Sequence, residues 1–193
     1  KYLKRYKSLI GKNYAEDSFY IYHLGIMSII EGDTKTSRVF FQRSLDGFKK
    51  MGVSGVLYQI ESYELIGVGY LWFGSDVSKA IENQEKALEL SIKFYGGDHP
   101  MVGWRKIWLA WAYSQNGMLN SMGKSAVEAD AIIVKKLGRD NVWRHWAWHY
   151  QGCQKFAFGD YQKAAELLGL AAERAKKHYG EDNVWDYAWN LYM

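Results

Sequence analysis

The chain has 193 residues, of which 48% are hydrophobic, and a formal net charge of +4. That composition excludes global disorder, and the mild, dispersed charge argues against a nucleic-acid surface. A single proline argues against an all-β chain, and the lone Cys153 excludes an internal disulfide and fits a reducing, cytoplasmic compartment. No apolar run approaches the ~18 residues needed to cross a bilayer. The opening Lys1-Tyr2-Leu3-Lys4-Arg5 lacks the apolar core of a signal peptide.

In chain order, residues 1–10 read as the tail of a helix, followed by a worn turn at Ile10-Gly11-Lys12-Asn13. Helical spacing then predicts pairs over 15–31 and 34–50, 54–73 and 76–95, 99–116 and 119–137, and 141–158 and 160–178, with an unpaired helix over 183–193. The pairs follow a fixed period. Tyr95-Gly96-Gly97-Asp98-His99-Pro100 recurs 42 residues on as Leu137-Gly138-Arg139-Asp140-Asn141-Val142, and again as Tyr179-Gly180-Glu181-Asp182-Asn183-Val184. A period of this size marks a stacked array of one helical-hairpin unit. Gly96, Gly138 and Gly180 are placed to stop one helix. Asp98, Asn141 and Asn183, or Asp140 and Asp182 beside two of them, are placed to cap the next, and Pro100 suits a first helical turn.

Within each unit a small residue recurs in the middle of the first helix, at Gly25, Gly67, Ala110 and Gly152. Mid-helix glycine disfavours the helix by about 1 kcal/mol, so a neighbouring helix is expected to cross closely there. Gly32, Gly74, Gly117 and Gly159 end the first helices, and Asp33, Ser75 or Asp76, Asn120 and Asp160 follow as candidate caps of the second. Ala80 and Ala87, Ala126 and Ala129, and Ala164 and Ala171 carry the small-residue pattern through the second helices.

These residues resemble the tetratricopeptide (TPR) repeat signature. Gly152, Gly159-Asp160-Tyr161, Ala164, Leu168 and Ala171 match it, as do Gly67, Tyr70, Gly74, Ala80 and Ala87 with one inserted turn residue, and Ala110, Tyr113 and Gly117. The 42-residue period with its Gly-x-Asp-His-Pro turn is similar to the long repeat variant of kinesin light chains and bacterial signalling proteins. The resemblance covers nearly the whole chain. It implies an all-α, right-handed superhelical solenoid of antiparallel helix pairs, a single repeat domain over 1–193 with about four pairs (15–50, 54–95, 99–137 and 141–178) and partial repeats at both ends. It also implies a concave face that binds peptides or proteins, without catalysis or cofactor. One departure is clear. Kinesin light chain repeats resemble Asn-Leu-Ala at mid-helix, whereas the triplets here are His23-Leu24-Gly25, Leu65-Ile66-Gly67, Trp108-Leu109-Ala110 and Tyr150-Gln151-Gly152. The backbone-clamping asparagine is absent, and a kinesin-like cargo specificity does not carry over.

Aromatic residues make up 17% of the chain. Projected on the family pattern, the concave face receives Phe19, Tyr22, His23 and Ile26, then Glu61, Glu64, Leu65, Val68 and Trp72. Unit three adds Trp104, Ile107, Trp108 and Trp111, and unit four adds Trp146, His149, Tyr150, Cys153 and Phe156. The expected binding set is Tyr22, His23, Glu64, Trp72, Trp104, Trp108, Trp111, Trp146, His149 and Tyr150, with Trp108, Trp111 and Trp146 the most exposed. The expected partner is a protein or peptide with apolar or aromatic anchors, either an amphipathic helix or an extended segment. The bland alternative is that the rings glue neighbouring repeats, since each fully buried ring removes about 150–250 Å² from water.

Catalytic patterns are weak. His145 and His149 have metal-ligand spacing but no accompanying carboxylate, so no metal is expected. Cys153 lies one turn beyond His149 without an orienting third group. Glu61 and Glu64 suit a solvated face or a basic residue on the partner. Lys49-Lys50, Lys135-Lys136 and Lys176-Lys177 sit where helix dipoles favour cations. Trp185, Tyr187, Trp189, Leu191 and Tyr192 make a poor solvent-facing cap, so 183–193 is expected to continue into a longer array or to associate with another chain. The leading reading is a non-catalytic scaffold with an aromatic groove. The alternatives are a sensor arm of a larger signalling protein (with an ATPase or protease module) and, against the modest charge, an RNA-binding helical repeat.

Overall fold

The computed structural model describes residues 17–72 and 76–180. The segments 1–10 and 183–193, the turn at 10–13, and Gly74, Ser75, Asp182 and Asn183 lie outside the described residues. Among those described there are eight α-helices and no strand: α1 Ser18–Ile30, α2 Thr34–Lys50, α3 Val56–Leu71, α4 Val77–Tyr95, α5 Pro100–Gln115, α6 Leu119–Leu137, α7 Arg144–Ala157 and α8 Tyr161–Tyr179. A short 3₁₀ turn, Gly52–Gly55, links α2 to α3. Each of these eight helices overlaps one of the predicted helical segments. Helices α4, α6 and α8 each have 19 residues, and both their first and their last residues are spaced by 42. No helix among the described residues is long and apolar enough to cross a membrane.

The stop and start signals act locally. Gly96, Gly138 and Gly180 have φ of 85°, 89° and 81°, a left-handed conformation that other residues adopt only with strain. Their N–H groups donate to Ile92, Val134 and Lys176 and close the preceding helix. Three second-helix caps form as expected: Asp33 accepts from Thr36 N at 3.0 Å, Asp76 from Lys79 N at 3.0 Å and Asp160 from Lys163 N at 3.3 Å. Asn120 is not a cap, because α6 begins one residue earlier, after Met118. Asp98 is not a cap either. His99 Nδ1 accepts from Met101 N at 3.2 Å, while Asp98 bonds Lys135 at the far end of α6. That hydrogen bond holds the Asp98 carboxyl below its usual range. Asn141 Oδ1 takes Trp143 N at 2.9 Å and orders the turn before α7.

The chain contacts cluster into two compact units, residues 1–90 and 91–193, with the divide falling inside α4. In the first unit α2 packs against both α1 and α3. Phe41, Leu45 and Ile66 form the core cluster, with Tyr22, Ile26 and Tyr63 among the residues packed around it. Gly25 is where α2 crosses: a Cβ there would lie 2.7 Å from the Phe41 ring, which is fully buried. Gly67 serves α4 the same way, since a Cβ would meet Gln84 Nε2 at 2.7 Å and Ala80 O at 3.2 Å. Gln84, itself fully buried, donates to Glu64 O at 3.1 Å.

In the second unit α5 pairs with α6, α6 with α7, and α7 with α8, while α5 also touches α7. Ile107, Ala110, Met122, Ala126, Ala129, Ile133 and Tyr150 make the core. Gly152 admits α8, its missing Cβ leaving room for Leu168, whose Cγ would lie at 2.8 Å. The seam between α6 and α7 is polar at its ends. Gln154 Nε2 donates to Leu119 O at 3.0 Å, and the Gln154 amide fills the space that a Cβ on Gly123 would need. Arg144 bonds Asp130 through Nε at 2.7 Å and a second nitrogen at 3.2 Å. Such a two-pronged, half-buried pair fixes geometry as well as adding energy. On α8 the residues one period beyond Leu119 and Gly123 are Tyr161 and Ala165, and both are exposed.

Two glycine substitutions separate packing from helix propensity. Gly25→Ala should destabilise the chain by about 1–3 kcal/mol, because overpacking against Phe41 outweighs the propensity gain. Gly169→Ala, with nothing within 4 Å of the added Cβ, should stabilise it by about 0.5–1 kcal/mol. Thermal unfolding followed by circular dichroism measures both, and a stabilised Gly25 variant would contradict the close crossing.

Candidate functional site

The second unit concentrates the tryptophans. Trp104, Trp108 and Trp111 lie at one helical face of α5, and all three are half-buried. Trp108 meets Trp104 edge-on at 5.6 Å and 88°, and Trp111 at 5.5 Å and 47°. Trp143, in the turn before α7, stands 5.1 Å from Trp104. Trp104, Trp111, Trp143 and the half-buried Trp146 all pack on the core cluster, so each ring has one side on the core and keeps part of its surface free. The rings pack on the core and keep part of their surface exposed.

His149 and Tyr150 do not join that surface. They are 1% and 5% exposed, and Tyr150 is a member of the core beside Ile107, Ala110 and Met122. The physical reason is that the Tyr150 ring packs among Ile107, Ala110, Met122, Ala126 and Ala129, whose small and apolar side chains leave room to enclose it. Burial pushes the Tyr150 phenol well above its usual range. Ile107, expected on the same face, is also interior.

In the first unit, Tyr22 is half-buried, its ring 5.5 Å from Phe41 and its Oη donating to Glu61 Oε2 at 3.0 Å. Phe19 packs on Phe48 at 5.1 Å and on Tyr58 at 4.7 Å. These rings are chiefly core, and the expected Val68 is buried too. His23 is exposed, with Nδ1–H donating to Phe19 O at 2.7 Å. Glu64 is half-buried, and Trp72, which ends α3, is 54% exposed.

The chemistry weighed from the sequence can be read directly. Among the described residues no group of three or more His, Cys, Asp or Glu side chains could hold a metal. His145, fully buried, donates Nδ1–H to Val142 O at 2.6 Å and anchors the turn. Cys153 Sγ lies 3.6 Å from His149 Nε2, yet burial pushes its thiol up to about 11, away from the thiolate that a nucleophile requires.

Sequence reasoning missed two arrangements. Trp148 is enclosed between guanidinium groups, Arg144 at 4.3 Å and Arg174 at 5.5 Å from the ring centroid. Arg174 also reaches Asp140 of the turn motif at 3.3 Å. The turn between α7 and α8 exposes Phe156, Phe158 and Tyr161 at 55%, 57% and 64%. Beyond Phe156, already placed on the concave face, the sequence signal for that cluster is the departure from Ser114, Asn116 and Leu119, one period earlier.

No protein-family model matches the chain, and no curated protein sequence matches it significantly. Solved structures do. BtubC (BKLC) from P. vanneervenii superposes with a TM-score of 0.75 at 17% identity, over 98% of this chain and 75% of that one. The nearly identical TPR-like repeats of a Podosopora anserina protein described as a kinesin light chain give 0.67 at 20% identity, over 89% and 84%. The apo form of RapI gives 0.75 at 14% identity, over 95% of this chain and 48% of that one, so this chain spans about half of RapI. At these identities the likeness establishes the fold, a TPR-like helical repeat of antiparallel pairs.

The raised Cys153 thiol makes a kinetic prediction. At pH 8 iodoacetamide should alkylate the folded chain roughly 100-fold more slowly than the urea-unfolded chain, because burial pushes the thiol up to about 11. Equal rates in the two states, measured by mass spectrometry, would show a thiol that burial does not perturb, and a faster folded chain an activated one.

Proposed function

We propose that this chain is a non-catalytic protein- or peptide-binding scaffold. Its recognition surface is the tryptophan cluster of the second unit: Trp104, Trp108, Trp111 and Trp146. The single observation behind this reading is that four large rings stay half-exposed in a repeat whose other interior positions are small or enclosed, such as Ala110, Ala126, Ala129 and Ala147. A ring needed only to join helices gains most by full burial, at about 25 cal/mol per Å². Half-exposed, preorganised tryptophans are instead the residues on which binding hot spots are built. The TPR-like fold of the solved neighbours supports a scaffold role. His23 and Trp72 are the exposed members of the expected set in the first unit, and Glu61 beside Tyr22 offers a carboxylate to a basic residue on the partner. His149 and Tyr150 support the surface from beneath.

A second reading, a regulatory arm of a larger signalling protein, is favoured by the RapI match, in which this fold accounts for about half of a longer polypeptide. The two readings share the binding surface and differ in what binding triggers.

A random peptide library panned on the full chain should enrich binders through the tryptophans. Trp104→Ala with Trp146→Ala should weaken the enriched peptides at least tenfold, a loss of about 1.4 kcal/mol or more. The helical dichroism of the double variant must match wild type. Undiminished binding by a folded double variant would move the site elsewhere.

A further inference from the structure

The face that α6 turns towards α7 is fixed by contacts at four positions. Gln154 donates to Leu119 O and fills the space a Cβ on Gly123 would need. Gln151 donates to Ala126 O at 3.5 Å, and Arg144 bonds Asp130. One period on, the same four positions of α8 hold Tyr161, Ala165, Leu168 and Ala172. Their i, i+4, i+7, i+11 spacing keeps them on one side of the helix. Tyr161 is 64% exposed and Ala165 is exposed too, while Ala172 and Leu168, which reaches into the gap at Gly152, are half-buried. This face has also lost its charge. Asp130, which holds Arg144 on α6, is replaced by Ala172, so none of its four residues offers a carboxylate to an arginine. An apolar occupant suits it.

We propose that the occupant is a second copy of this chain, its α8 packed antiparallel on the first. The proposal goes beyond the tryptophan surface and does not depend on it. A two-fold contact must match itself, and this row of side chains does. Large and small residues alternate along it. Reversed against itself, the row sets Tyr161 over Ala172 and Ala165 over Leu168, in both copies at once. Each bulky side chain then meets a gap left by a methyl group, as close helix packing requires. Phe156, edge-on to Tyr161 at 5.4 Å, and Phe158 extend the apolar surface past the start of α8, and they are 55% and 57% exposed. In the antiparallel pairing both rings fall beside the last turn of the other α8, where the stem and charge of Lys176 can cover a ring. Opposed helix dipoles favour the same orientation. The area is of the right order. The exposed parts of three rings supply about 300–400 Å². A strip along a helix of 19 residues, about 28 Å long, brings each copy towards the ~800 Å² that a stable partner buries.

Sedimentation velocity on the full chain, from about 1 to 100 µM, reads the oligomeric state. A monomer–dimer equilibrium is expected, with the dimer dominant at the upper end. Ala165→Lys changes an exposed residue that the monomer does not use. It should weaken dimerisation at least tenfold and leave the helical dichroism of the dilute chain unchanged, and Tyr161→Ser should act in the same direction. Zero-length carbodiimide coupling reads the orientation. The antiparallel dimer brings Lys176 of one copy within about one turn of Asp160 of the other, whereas within a single α8 the two lie about 24 Å apart. That link is expected in the dimer and should be lost in Ala165→Lys. A chain that stays monomeric at about 100 µM overturns the proposal and leaves the face to residues 181–193 or to a different protein. A dimer that ignores both substitutions overturns it as well, because the contact then lies elsewhere. A dimer sensitive to them but lacking the Lys176–Asp160 link overturns the antiparallel pairing. Should Ala165→Lys lose helix, Tyr161→Ser and the cross-link decide. Peptide binding at the tryptophans is scored separately, so either reading can fail without the other.

Discussion

At the middle of three of the described first helices a glycine lets the second helix come close enough for one of its side chains to fill the gap. Gly25 receives Phe41, Gly67 receives Gln84, and Gly152 receives Leu168. Each glycine weakens its own helix, by about 1 kcal/mol against alanine, and the packing it permits outweighs that loss. The cores of both units are assembled around these crossings, and so is the placement of the tryptophans. Tyr150 is enclosed in the core with Ala110, while Trp104, Trp111 and Trp146 of α5 and α7 are left at its margin, partly buried.

The fold was largely legible in the sequence because it is written three times. Repetition at a fixed spacing separates turn residues from chance glycines, and the helix limits fall within about three residues of those predicted. Local chemistry was less legible where two residues compete for one task. Asp98 has the side chain of a cap, yet His99 takes the helix end because Lys135 offers Asp98 an ion pair across the unit. Asn120 lies inside the first turn of α6, two residues past the cap position at Met118, and so does not serve as the cap.

The proposed binding face was legible only in part. Helical periodicity places Trp104, Trp108, Trp111 and Tyr150 on facing positions of α5 and α7, but whether such a residue ends inside or outside depends on the distance between those helices, which periodicity does not encode. Trp148 shows the same limit from the other side. Its neighbours Arg144 and Arg174 are 30 residues apart in sequence and meet on its ring only in the folded unit. A fold that needs only its crossings and turns leaves the other positions free to vary, in keeping with the 17%, 20% and 14% identity of this chain to BtubC, the Podosopora protein and RapI.

The polar seam between α6 and α7 has a consequence for how a self-similar chain folds to one register. A segment slipped by one period would present a near-copy of the right turn, since Gly180, Asp182, Asn183, Val184 and Trp185 repeat Gly138, Asp140, Asn141, Val142 and Trp143. The next residue breaks the likeness. Where Arg144 meets the Asp130 carboxylate, the slipped copy would bring Asp186, and two like charges would oppose each other in a half-buried site. A register slipped by one period therefore exchanges an ion pair for two opposed carboxylates, so the pair disfavours that misaligned stack.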